Sequence, residues 1–185
     1  MLLKPFVGRI IVFSLLTSMY GLAVNFTGVG HTGTCRPLIM GIIFIAAAMV
    51  DMETYILPDA FTIGGAILGL LLPGTDYLQS VIGGIVGAAI TASIALLSRG
   101  GIGGGDIKLS LAMGIFLGWP LILPALAISF LAGGCLGSIL VLMRIRRWAD
   151  PIPFGPFLVV GTLVAQFWGQ NLVQWYLITI WGSVD

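Results

Sequence analysis

The sequence predicts an all-α fold, a polytopic transmembrane helix bundle of about six or seven spans. Three observations carry that expectation. Of the 185 residues, 58% are hydrophobic and only 8% charged, with a mean hydropathy of +1.12. A soluble domain carries about a quarter charged residues, so this chain cannot cover a water-facing globule. Apolar runs of the length that crosses a bilayer, ~20 residues, recur along the chain. Finally, the basic residues gather on one side of the topology those runs generate. The same composition excludes other classes. A net charge of +1 with 8 Lys+Arg excludes a nucleic-acid-binding domain. High hydropathy excludes intrinsic disorder, and two Cys exclude a disulfide-stapled secreted module.

The spans follow in order. The first runs from Ile10 to Phe26 behind Lys4 and Arg9, and its length favours an uncleaved anchor over a signal peptide. Asn25-Phe26-Thr27 also fits a glycosylation sequon, a pattern too common to decide anything. The second starts near Leu38 and reaches Val50, where Asp51 and Glu53 interrupt it. The third, Phe61 to Leu72, is short and ends at Pro73-Gly74. The fourth, Val81 to Leu97, closes at Arg99. The stretch from Ile107 to Met143 is apolar throughout. As one helix it would extend about 55 Å, nearly twice the ~30 Å hydrocarbon thickness. Gly118-Trp119-Pro120 and Pro124 are natural breakers, so two crossings are expected there. A last run spans Phe157 to Trp181.

Charge placement tests the count. With a cytoplasmic N-terminus and seven spans, Lys4, Arg9, Arg99, Lys108, Arg144, Arg146 and Arg147 fall inside and only Arg36 outside. A single crossing between Ile107 and Met143 would send the arginine triplet outside. The chain therefore reads as one integral-membrane domain over residues 1–185, with no soluble zinc-binding domain. Four-residue glycine repeats (Gly65/Gly69, Gly83/Gly87, Gly114/Gly118, Gly133/Gly137) suit close packing of helices within the bundle. Gln166, Gln170 and Asn171 lie on one side of the last span and are expected to face the interior. Trp168, Trp175, Tyr176 and Trp181 suit interfacial anchors.

Ionisable groups at membrane depth are costly, so each acid needs an account. Asp76 and Asp185 are expected to be solvated, and Asp150 to pair with the arginines before it or with water. Asp51, Glu53, Asp59 and Asp106 all fall at the cytoplasmic ends of spans. Asp59, after Leu57-Pro58, suits a helix N-cap; Glu53 suits a water-facing position; Asp106 also precedes a helix, so capping is open to it. Asp51 follows Ala46-Ala47-Ala48-Met49-Val50 in a continuing helical pattern, where no cap is needed. Before Asp106 stand Gly103, Gly104 and Gly105, which let backbone or substrate approach closely. A phosphate loop is excluded, because Lys108 is followed by Leu and no strand precedes the glycines. A plain flexible loop remains the simpler alternative. Two aspartates meeting in a partly dry pocket would share a proton, one activating water and the other donating to a peptide carbonyl. The dipoles of their own helices suggest Asp106 as the resting base and Asp51 as the acid.

At these residues the sequence resembles the type IV prepilin peptidases. Their signature has an Asp, five residues and then Leu-Pro-Asp, with a Gly-x-Gly-Asp later. Asp51-Met52-Glu53-Thr54-Tyr55-Ile56-Leu57-Pro58-Asp59 matches the first part and Gly103-Gly104-Gly105-Asp106-Ile107-Lys108-Leu109 the second. Pro153-Phe154-Gly155-Pro156, before the last span, also resembles the family, and the likeness covers roughly Leu38 to Thr162. The resemblance implies an aspartyl protease of the bacterial inner membrane with Asp51 and Asp106 as its catalytic pair. Gly103, Gly105, Lys108, Pro58 and Asp59 would be supporting motif residues. It implies a prepilin or type II secretion pseudopilin as substrate, cut after a Gly that ends a basic leader, at the cytoplasmic membrane face. Beyond that substrate and the lipid bilayer no partner is expected, nucleic acid included, and no oligomeric state is assigned. Larger family members carry two Cys-x-x-Cys pairs in a loop linked to metal binding and N-methylation. Here Cys35 and Cys135 stand 100 residues apart, and with His31 they do not make up the roughly four ligands of a zinc site. No metal or cofactor is therefore expected, and the residues argue for cleavage rather than methylation. Cys35 and His31 read as outer-loop residues and Cys135 as a small apolar residue in a span.

Two other functions compete. A proton-coupled transporter or channel would use the same carboxylates as an ion relay, but paired broken helices and inverted repeats are not evident. A scaffold subunit of a secretion assembly leaves the placement of the carboxylates unexplained.

Overall fold

The structure is a computed structural model that describes residues 3–26, 35–98, 101–145 and 152–182. Thr27, His31, Arg99, Arg146, Arg147, Asp150 and Asp185 lie outside these residues, as do the side chains of Lys4 and Trp181. The described residues form helices only: α1 (Leu3–Phe26), α2 (Cys35–Thr54), α3 (Asp59–Leu71), α4 (Tyr77–Leu97), α5 (Gly104–Leu117), α6 (Ile122–Leu142) and α7 (Gly155–Trp181). By length and composition α2, α4 and α6 can each cross a bilayer. Large apolar side chains such as Leu15, Met19, Leu22, Ile85, Leu131 and Leu142 point outward from the bundle. That is how a polytopic membrane protein meets lipid, with every backbone group satisfied inside its own helix.

The long apolar stretch divides where its breakers stand. The chain turns at Gly118, whose φ of 76° favours glycine, and at Trp119-Pro120. Pro124 falls inside the first turn of α6, where a missing N–H breaks no helical bond. Two starts differ from the expected ones. Helix α5 begins inside the glycine run, so Asp106 is its third residue rather than the residue before it. Cys35 is not in a loop but opens α2. Helices α3 and α5 are also short, with 13 and 14 residues. They rise only about 20 Å, roughly two thirds of the hydrocarbon thickness.

Helix α5 is the axis of the bundle, packed against α3, α4 and α7. Leu109, Ala112 and Met113 on it are fully buried. The glycine repeats pack within the chain. A Cβ on Gly83 would lie 2.5 Å from Gly114 O, and one on Gly87 2.6 Å from Ser110 O. The backbones of α4 and α5 can approach this closely only without side chains there. Gly69 makes room for the Phe116 and Ile115 side chains of α5, Gly65 faces Ile43 of α2 and Ala112 of α5, and Gly133 makes room for Phe154.

Helix α2 carries Arg36 near one end and Asp51 near the other, which orients the molecule. At the far end, opposite Asp51, the Arg36 guanidinium donates to Gly69 O at 3.1 Å, Ile115 O at 2.8 Å and Phe116 O at 3.3 Å, and to the hydroxyls of Thr75 and Ser80. These carbonyls end α3 and α5, where orphan acceptors and the negative pole of the dipole favour a cation. Asp76 caps α4 by accepting from Gln79 N at 3.2 Å, besides being exposed as expected. The polar side of α7 is less interior than expected. Gln166 is half-buried, with its Oε1 2.6 Å from Tyr20 Oη. Gln170 and Asn171 are exposed and line a far-end cavity with Arg36. Trp168, Trp175 and Tyr176 are exposed on the same helix.

Candidate active site

At the other end, the local sequence explains how each acid is held. Helix α2 runs past Val50 to Thr54 because nothing in Asp51-Met52-Glu53 stops it. It ends through Thr54, whose hydroxyl donates to Val50 O at 2.9 Å and accepts from Ile56 N at 3.2 Å. Tyr55 adopts a left-handed φ of 55° and donates its N–H to Asp51 O at 2.9 Å. The chain then drops through buried Leu57 to Pro58, which stands at the N-cap of α3. Asp51 thus sits on the last turn of its helix with 5% of its surface exposed.

Asp106 is positioned from the other side. Gly103 is the N-cap of α5, and the Asp106 carboxylate accepts from Gly103 N at 3.1 Å while Asp106 N donates to Gly103 O at 3.1 Å. The residue is 7% exposed. Gly105 approaches Leu57 so closely that a Cβ there would stand 3.0 Å from Leu57 Cβ. That contact joins the loop after Asp51 to the helix start before Asp106.

The two carboxylates, 55 positions apart in the chain, line one cavity of about 480 Å³ together with Tyr55, Pro58, Asp59, Gly103, Gly105 and Lys108. Water occupies about 30 Å³ per molecule, so the cavity admits several waters or a short stretch of peptide.

Several expectations change here. Asp59 is not the N-cap of α3 but its first residue, with no capping bond from its side chain. Its carboxylate pairs instead with Lys108 Nζ at 2.6 Å, across the cavity mouth. Glu53 is exposed as expected, and it also pairs with Arg9 at 3.1 Å. The asymmetry inferred from the dipoles of α2 and α5 also loses its basis. Asp51 Oδ2 accepts from Gly155 N at 2.9 Å, and Gly155 is the first residue of α7. Each carboxylate therefore faces the N-terminus of a helix, and helix placement alone assigns no roles. Sequence reasoning flagged Pro153-Phe154-Gly155-Pro156 but gave it no task. Only the resemblance of that stretch to the family signalled it, because its partner lies 104 positions away.

Arg9, Lys108 and Arg144 are at the aspartate end of the bundle and Arg36 at the other. Among the described residues no group of three or more His, Cys, Asp or Glu is placed to hold a metal ion. Cys35 and Cys135 are both exposed, one at the far-end start of α2 and one on α6.

The chain matches the model of the type IV leader peptidase family over residues 38–138, a region that contains both aspartates. It is 32% identical over 182 residues to a prepilin leader peptidase/N-methyltransferase of Aeromonas hydrophila, covering 94% of this chain and 63% of that protein. A protein of the same name from Aeromonas salmonicida is 33% identical over 175 residues, covering 90% and 60%. One from Xanthomonas campestris is 34% identical over 149 residues, covering 76% and 52%. The chain thus spans between 52% and 63% of the length of these relatives. No solved structure matches it significantly.

Proposed function

This chain belongs to the type IV leader peptidase family, and from that premise we propose that it is an aspartic endopeptidase acting through Asp51 and Asp106. The observation that carries the reading is the shared cavity: two buried carboxylates from distant parts of the chain, converging at one end of the bundle. Its substrates are prepilins, which its relatives are named for, or type II secretion pseudopilins. Cleavage removes the basic leader at the cytoplasmic face of the inner membrane, the bundle lying with its N-terminus and its aspartate end inside.

The chemistry follows from like charges in a poorly solvated site. The pair holds one proton. The ionised carboxylate takes a proton from water as the oxygen attacks the scissile carbonyl carbon, and the protonated partner donates to the carbonyl oxygen. Collapse of the tetrahedral intermediate breaks the C–N bond: one carboxyl gives its proton to the departing amine, the other carboxylate takes a proton from the diol hydroxyl, and the pair again holds one proton. Titration belongs to the dyad as a unit. Cleavage alone is proposed; N-methylation is part of the name of proteins that this chain covers only in part.

Co-expression with a prepilin tests the reading. Asp51→Asn and Asp106→Asn should each abolish processing at unchanged membrane levels of the enzyme. Full processing in either variant would overturn the dyad. A relay in a transporter would leave the leader uncut in the wild type as well.

A further inference from the structure

Helix α7 begins with an unusual distribution of its first N–H groups. Phe157 N and Leu158 N turn back to Phe154 O at 3.0 and 3.2 Å. Pro156 has no N–H. The N–H of Gly155 is instead aimed away from its own helix, at Asp51 Oδ2, over 2.9 Å in a buried contact. The space around it is as specific as the bond. A Cβ on Gly155 would stand 2.6 Å from Asp51 Oδ2, 3.0 Å from its Cγ and 3.2 Å from its Cβ. Any side chain at 155 therefore collides with the carboxylate that the N–H holds. The residue before it is anchored too: Phe154 stacks on Phe130 of α6 with ring centroids 5.1 Å apart, in the space that Gly133 leaves open.

We infer that Gly155 is a positioning residue for Asp51, and that the start of α7 is the third element of the active site. It rests on the reading of Asp51 as catalytic. One oxygen of Asp51 is occupied by the Gly155 N–H, as one oxygen of Asp106 is occupied by the Gly103 N–H. A backbone N–H donates best to an unprotonated oxygen, because protonation weakens that oxygen as an acceptor. The shared proton is therefore favoured on the other oxygen of each carboxylate. The two backbone donors orient the pair so that these working oxygens face the cavity. This arrangement also accounts for the Phe154-Gly155-Pro156 order: an anchored ring, a donor without a side chain, and a residue without a competing donor.

The test compares Gly155→Ala with Gly161→Ala, less than two turns further along α7. A Cβ at 161 would overlap Ser129 Oγ and stand 2.3 Å from Ala125 O of α6, and none of its three nearest atoms belongs to the site. Gly155→Ala should lower kcat for prepilin cleavage about a hundredfold, the loss expected of a misplacement near 1 Å, with KM within about threefold. It should also displace one limb of the pH–rate profile. Gly161→Ala should lower the thermal midpoint and leave the profile and the kcat per folded enzyme unchanged. Thermal unfolding of a double-variant set reads the contact without catalysis. Gly155→Ala should be clearly destabilising beside Asp51 and much less so in an Asp51→Ala background, where Oδ2 and Cγ are gone and only the 3.2 Å contact to Cβ remains. If Gly155→Ala alone fails to fold, the double variant should still fold. An unmoved pH profile, kcat near wild type, or a thermal penalty that persists in full without the Asp51 carboxylate would overturn the inference. Retained cleavage in Asp51→Asn would instead strike the proposed function, while the unfolding comparison would still report on the contact.

Discussion

Adding one methyl group at Gly105 should cripple cleavage, and far more than the same addition at its neighbour Gly104, which lines the same cavity. A Cβ at 105 would lie 3.0 Å from Leu57 Cβ, 3.5 Å from Leu57 Cδ1 and 3.7 Å from Leu57 N. Carbon atoms rest at about 3.5–4.0 Å, so the two segments must part by roughly 0.5–1 Å. Leu57 cannot rotate its own Cβ away, and at 8% exposure it has little free space beside it. The segments that part are the loop following Asp51 and the helix start carrying Asp106. Displacement near 1 Å costs up to about a hundredfold in rate, equivalent to roughly 2.7 kcal/mol in the barrier. We expect kcat to fall about twenty- to hundredfold, with a stability loss of about 1–3 kcal/mol from overpacking. A Cβ on Gly104 meets nothing within 4 Å, and Ala for Gly in a helix is favourable by about 0.5–1 kcal/mol. Initial rates of prepilin cleavage by quantified, detergent-purified enzyme decide the matter. Equal losses in the two variants, or an unimpaired Gly105→Ala enzyme, would refute the reasoning.

The Lys108–Asp59 pair is exposed on both sides, at 47% and 61%, so Lys108→Met should slow cleavage by no more than about fivefold, the range of a surface ion pair. The Lys108→Met/Asp59→Asn enzyme should be no slower, in the same assay. Arg36 ties together the ends of α3 and α5. Arg36→Gln should lower stability by about 2–4 kcal/mol through stranded carbonyls, measured by thermal unfolding in detergent. Arg36→Lys should recover little of this loss, since one ammonium cannot serve several separated acceptors as the planar guanidinium does.

What the sequence made legible was local. The apolar runs and the breakers at Gly118-Trp119-Pro120 are properties of consecutive residues, and the helices follow them closely. Asp51 stood out because a charge inside a continuing helical pattern needs a reason. The contacts that hold the site were not legible in this way. Gly155 reaches Asp51 across 104 positions and Lys108 reaches Asp59 across 49, and no periodicity encodes which helix end meets which. Asp59 misled for the same reason: a carboxylate at a helix start suits a cap until a lysine from another helix comes within 2.6 Å. Roles drawn from the dipoles of α2 and α5 likewise omitted α7, whose N-terminus the sequence could not place beside Asp51.

The most direct measurement is kcat/KM for prepilin cleavage by the Asp51→Asn enzyme, the Asp106→Asn enzyme and the enzyme with both changes. Groups that act as one unit are lost together. Each single variant should fall by more than about a thousandfold and the double variant no further. A single variant within tenfold of wild type, or losses that multiply in the double variant, would contradict a shared-proton pair splitting water onto the leader bond.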